Sequence, residues 1–116
     1  MDRELVERAR HGDREAYEVL GRAAADRLYP VAYRILREAD QADDAVQQTL
    51  VAIWREIPKL RDPDRFEAWT YRLVVRFCLA EARRQRGQEA RVKALALDVR
   101  SADDTIRVAA RDEIER

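Results

Sequence analysis

Cysteine is almost absent from this 116-residue chain: Cys78 stands alone, so no internal disulfide framework is possible and a cytosolic setting fits. Histidine is as scarce. His11 sits beside Gly12 in an expected turn, where a solvent-facing role is the simplest. One His, one Cys and no glycine-rich loop leave almost no nucleophile–base pair or phosphate cradle. No Glu-x-x-His pattern occurs, which excludes a di-iron helical bundle on ligands, and no metal or cofactor is expected. Glycine and proline occur three times each, so few positions break a helix. No stretch approaches the roughly 20 apolar residues of a membrane span. The opening "MDRELVERARHGD" is charged from the start, unlike a signal peptide.

What the chain does have is Ala, Arg, Glu and Leu, with 40% charged and 47% hydrophobic residues. That composition, at a length that suits one modest core, implies an all-α protein with solvated surfaces. Leu5, Val6 and Ala9 predict a short first helix stopped at His11-Gly12. Asp13 caps a second helix with Tyr17, Leu20, Ala24 and Leu28 on one face. Pro30 is expected to kink it or start a new helix, and the pattern resumes at Val31, Ile35 and Leu36. Asp40 is the expected N-cap of a third helix, with Asp43 and Asp44 in its first turn. Ala45, Val46, Thr49, Leu50, Ile53, Trp54 and Ile57 give it a strong apolar face, and Pro58 should end it.

After the connector "KLRD", Asp62-Pro63 reads as an N-cap followed by proline at the first helical position. The fourth helix should run to about Arg86 and end at Gly87. Residues 88–116 then form a helical linker: a weaker stretch in "QEARVKALAL", a polar "DVRSADD", and a further helix from Thr105. That last helix stops at "DEIER" with an apolar stripe and no cap. A chain that continued into a second domain would explain this, and so would a frayed tail. The expected architecture is a compact bundle of about four helices over 1–87, followed by the linker 88–116.

Net charge is zero, but it is unevenly spread. Residues 65–93 hold eight basic groups against three acidic ones, a net of +5, leaving −5 for the rest. At about 100° per residue, Arg65, Arg72, Arg76 and Arg83 fall within roughly 20° of one direction. Phe66, Trp69, Leu73, Phe77 and Ala80 form a seam beside them. No acid interrupts the line, as it would on a face built from i,i+4 salt bridges. The stripe therefore suits phosphate contact, or pairing with acids on neighbouring helices. On the third helix Asp44, Gln47 and Gln48 share a polar face, which by itself reads as solvated surface. Asp43 and Asp44 point about 100° apart and do not form a proton-sharing pair. Trp54, Trp69, Phe66 and Phe77 read as core before they read as a ligand cage.

Taken in order, "HGDREAYEVL", "LYPVAYRILRE", "DQADDAVQQTLVAIWREI", a short loop, "FEAWTYRLVVR" and "ARRQR" resemble the second conserved region of bacterial sigma factors of the extracytoplasmic-function type. The resemblance covers roughly residues 4–86. The tail "VAARDEIER" looks like the opening of that family's second DNA-binding domain, which reads the −35 element. The resemblance implies that Asp44 and Gln47, with Gln48, Val51 and Arg55 nearby, dock on the β′ clamp of core RNA polymerase. It implies that Pro58–Asp62 catches a flipped base of the promoter −10 element from the non-template strand. Lys59, Arg61 and Asp62 would act there, and Arg65, Arg72, Arg76, Arg83 and Arg84 would lie along the DNA. An anti-sigma factor is a further implied partner. Three positions depart from the family: Gln48 stands where an acid is common, Thr70 where Leu is usual, and Phe77 where Asn is frequent. An aspartate common further on is Glu81. Phe77 cannot bond a base edge, so the −10 preference should not be carried over from relatives. The competing readings are a helical protein-interaction module and a small helical enzyme, the latter lacking any visible titratable cluster.

Overall fold

The structure, a computed structural model, describes residues 2–102, with side chains through Leu97. Asp2 opens α1 (Arg3–Arg10) by accepting the Glu4 N–H. The helix stops where Gly12 takes a φ of +94°, a left-handed conformation that costs glycine little. Asp13 then caps α2 (Arg14–Leu36), its carboxylate accepting from the Ala16 N–H at 3.1 Å. That hydrogen bond, with Arg8 at 2.9 Å, holds the Asp13 carboxyl below the usual aspartate range. Pro30 lies inside α2 and starts no new helix. The helix ends with Arg37 in the left-handed region, at φ 61°, its N–H returning to the Tyr33 carbonyl.

Glu38, and not Asp40, is the N-cap of α3 (Ala39–Glu56): its carboxylate accepts from the Gln41 N–H at 2.8 Å. Asp40 falls in the first turn, where its charge still meets the helix dipole. The left-handed exit of α2 leaves Glu38 extended, so the chain turns two residues earlier than the Asp signal suggests. Pro58 does end α3, in a 3-10 turn over Ile57–Lys59. Asp62 caps a second 3-10 turn, Pro63–Arg65, and α4 (Phe66–Ala102) follows. Helix α4 runs through Gly87 and on to Ala102, so neither the glycine nor "DVRSA" interrupts it. A glycine in helical conformation costs only about 1 kcal/mol against alanine, too little to stop a helix by itself. The helix expected from Thr105 lies outside the described residues.

The described chain forms two compact units, the first ending at Glu81 and the second beginning at Ala82. The first is all-α, with no strand among the described residues. Its core has two parts. Val6, Leu20, Ile53, Ile57, Phe66 and Leu73 fill one, around the α1 end of the unit. The other is rich in small residues, Ala24, Ala32, Ala42 and Ala45, which bring helix backbones close around Leu28, Val46, Val74 and Cys78. Each large apolar side chain buried here contributes about 1.5–3 kcal/mol. Cys78 is the small core residue expected of it. Burial, reinforced by Glu81, raises its thiol pKa and keeps it protonated.

Two details differ from the expected seam on α4. Ala80 is exposed, and the buried line instead runs Phe66, Thr70, Leu73, Val74, Cys78 and Glu81. Thr70 is wholly buried. Its hydroxyl donates to the Glu67 carbonyl at 3.0 Å and accepts from Nη2 of Arg27 on α2 at 2.6 Å. The threonine at a position where the resembling family carries leucine thus has a partner across the bundle. In the second unit, α4 presents Val92, Leu95 and Leu97 as exposed side chains. No described helix is long and apolar enough to cross a membrane.

Candidate nucleic-acid and partner interfaces

The connector and the start of α4 make the first face. Ile57 is fully buried and anchors the first 3-10 turn, while Lys59 and Arg61 project outward on either side of half-buried Leu60. The Asp62 carboxylate accepts from the Asp64 N–H at 3.0 Å. This hydrogen bond shapes the loop. Arg3 of α1 reaches Asp64 at 2.7 Å and ties the second 3-10 turn to the N-terminal helix.

At the entry to α4 and along it, Phe66 and Leu73 are buried while Arg65, the residue before the helix, and Arg72 and Arg76 are exposed. The helical period itself causes this: with Phe66, Leu73 and Val74 turned into the core, the arginine line must face out. Among the described residues, Arg65, Arg72, Arg76 and Arg83 have no carboxylate within 4 Å. Of the two readings left open by the sequence, pairing with acids on neighbouring helices does not occur. Arg83 and Arg84 lie in the second unit and are exposed there.

Between connector and α4 lies an open cleft of about 440 Å³. It brings Lys59 and Arg61 together with Arg76, and adds Trp69, Phe77 and Glu56. Sequence reading placed Trp69 and Phe77 in the core; both are half-buried and line this cleft, whereas Phe66 is core as expected. The usable signal was their spacing. Trp69, Leu73, Arg76 and Phe77 stand at i, i+4, i+7 and i+8, one helix face on which aromatic and cationic side chains alternate. Glu56 carried no sequence signal.

The second face is on α3. Asp44, Gln47, Gln48, Val51 and Arg55 are all exposed and share one side of the helix. Beside them Trp54 is 42% exposed and so lies outside the core. It meets Tyr17 of α2 edge-on, at 4.5 Å between ring centroids. The Tyr17 hydroxyl donates to the Leu50 carbonyl at 2.6 Å, and burial raises its phenol pKa. Tyr17, Leu50, Val51 and Trp54 line an open, mainly apolar groove next to the polar face. No group of acidic, His and Cys side chains among the described residues could hold a metal ion.

An all-helical bundle with one basic, aromatic-lined cleft and one polar helix face is the class that these features define. Residues 20–88 match sigma-70 region 2, and the chain belongs to that family. It is similar to the RNA polymerase sigma-H factor of Pseudomonas aeruginosa, 27% identical over 75 residues, or 65% of this chain and 39% of the relative. It is also similar to the ECF RNA polymerase sigma factor SigE of Mycolicibacterium smegmatis, 32% identical over 77 residues, covering 64% and 30% of the two chains. The ECF RNA polymerase sigma factor SigM of Mycobacterium tuberculosis is 32% identical over 83 residues, 72% of this chain and 42% of that one. The chain therefore spans less than half the length of these curated relatives. No solved structure matches it significantly.

Proposed function

We propose that this chain is the promoter-binding module of a sigma-type transcription initiation factor and works without catalysing a reaction. Asp44, Gln47, Gln48, Val51 and Arg55 on α3 dock on the β′ clamp of core RNA polymerase. Lys59 and Arg61 on the connector engage the −10 element, and Arg61, Arg65 just before α4, and Arg72, Arg76, Arg83 and Arg84 on α4 hold its phosphates. Asp62 keeps the connector in shape. A base of the non-template strand leaves the stack and enters the cleft. Its unstacking costs a few kcal/mol, and stacking on aromatic faces recovers about 1–3 kcal/mol per base. Residues 88–116 serve as the link toward a second DNA-binding domain.

The observation that carries this reading is that exposed Arg65, Arg72 and Arg76 have no carboxylate partner among the described residues and stand beside an aromatic cleft, inside the segment that matches the family. A surface held at one sign attracts a polyanion and keeps its charge for it. The test is binding of the full chain to a single-stranded −10 oligonucleotide, with Arg72→Glu and Arg76→Glu combined. Binding is lost while helix content stays unchanged; retained binding refutes the assignment.

A second reading has one observation in its favour. The Tyr17–Trp54 groove beside the α3 face suits an apolar side chain of a protein partner, either the polymerase or an anti-sigma factor. Under a purely adaptor role the arginine double variant would leave all measured binding intact.

A further inference from the structure

Reading a base by its edge requires side chains that match a pattern of donors and acceptors. The cleft between connector and α4 is lined mostly by groups that cannot accept. Lys59, Arg61 and Arg76 carry only N–H donors. Trp69 offers a ring face and one N–H, and Phe77 a ring face alone. Glu56, the last residue of α3, is the sole lining side chain with acceptor oxygens among the described residues.

Those oxygens are available. Glu56 Oε1 lies 3.5 Å from Lys59 Nζ, longer than an ordinary N–H···O hydrogen bond of about 2.7–3.2 Å. No other described donor engages the carboxylate. The two side chains are one turn apart and together present two acceptor oxygens beside an ammonium. A flipped base is read on its Watson–Crick edge. Guanine shows there an acceptor, O6, followed by two adjacent donors, N1–H and N2–H2. Cytosine and adenine offer a carboxylate one amino donor and set a ring-nitrogen lone pair beside it. Thymine offers a single N–H between two carbonyls.

We infer that the cleft selects an unstacked guanine, with Glu56 accepting from N1–H and N2–H2 and Lys59 donating to O6. Trp69 and Phe77 supply the stacking faces, which tolerate any base, so selection falls to the Glu56–Lys59 pair. Arg61 and Arg76 hold the phosphates on either side. The inference rests on the nucleic-acid reading above and names the base that this site takes.

The test titrates the full chain, at low salt, with five single-stranded pentanucleotides that differ only at the central base. That base is guanine, hypoxanthine, adenine, cytosine or thymine, with thymine flanks. Guanine binds about five-fold or more tighter than the rest, the lower end for edge recognition. Hypoxanthine, which lacks only the N2 amino group, loses most of that advantage. In Glu56→Leu, which has no acceptor at that position, the guanine–hypoxanthine gap closes. In Lys59→Gln all five oligonucleotides bind more weakly, but the gap remains. Equal affinity of the unmodified chain for all five overturns base selection and leaves the nucleic-acid reading standing. A gap that persists in Glu56→Leu overturns the role of that carboxylate. No binding to any of the five overturns both this inference and the reading beneath it.

Discussion

Replacing Thr70 by valine tests whether the contact between α2 and α4 is a polar one that the fold needs. The substitution keeps shape and β-branching and removes one oxygen. Thr70 is fully buried, and that oxygen accepts from Arg27 Nη2 at 2.6 Å. A hydrogen bond from a charged donor contributes about 1.5–3 kcal/mol. Arg27 has little in reserve, because its Nε is already buried without a partner. Against this, a methyl replacing the hydroxyl in the core returns up to about 0.8 kcal/mol. Half-buried Arg27 also recovers some solvation. The net expectation for Thr70→Val is a loss of about 1–2 kcal/mol, with a fall in Tm of about 4–8 °C for each kcal/mol in a domain of this size. Urea unfolding followed by far-UV circular dichroism should show a lower midpoint at unchanged slope. A cycle with Arg27→Met should return a coupling of about 1 kcal/mol or more, because the double variant no longer buries an unsatisfied guanidinium. A Thr70→Val chain as stable as the parent would refute the reasoning.

Gly87→Ala should raise helix content and stabilise α4 by about 0.5–1 kcal/mol, since nothing lies within 4 Å of the added Cβ; a loss of helicity by circular dichroism would mean that the glycine terminates the helix after all. Asp44→Arg should abolish capture by core polymerase at unchanged helicity, and a pull-down with normal recovery would reject α3 as the docking face. If about four to six phosphates are neutralised, log affinity for DNA should fall against log salt with a slope of about −3 to −5; a flat plot counts against the arginine assignment. The Asp13 carboxyl is held below its ordinary range by the Ala16 N–H and Arg8. Its stabilising effect is therefore present above the ordinary aspartate pKa and is lost as the pH falls through the depressed value. Asp13→Asn should make stability fall less steeply with acid, measured as urea midpoints from neutral pH downward; an identical acid profile would show that the cap is not charge-dependent.

How much could be read in advance depended on how local each cause was. The break at Gly12, the Asp13 cap, the stop at Pro58 and the exposure of Arg65, Arg72 and Arg76 follow from neighbours within a turn or two. The Asp40 cap failed because the left-handed exit at Arg37 shifted the chain's turn onto Glu38. The stop at Gly87 failed because one glycine costs less than the neighbouring helix-forming residues supply. Ala80 and Trp54 were assigned to the interior on periodicity alone, yet each lies at the edge of its apolar face, where a neighbouring element decides burial.

By itself, then, the amino-acid order settled the all-helical class, the helix register and a line of arginines that must face solvent, since a period of 3.6 residues is a property of one segment. Three features arose only when segments met: the hydrogen bond from Arg27 to Thr70, the exposure of Trp54 against Tyr17, and the cleft where Glu56 and Lys59 face Trp69 and Phe77. Their residues are 43 and 37 positions apart in the first two cases, and in the third they come from the end of α3, the turn after it, and α4. No local periodicity carries that information, because the distance between two helix faces is fixed by how well the side chains between them pack.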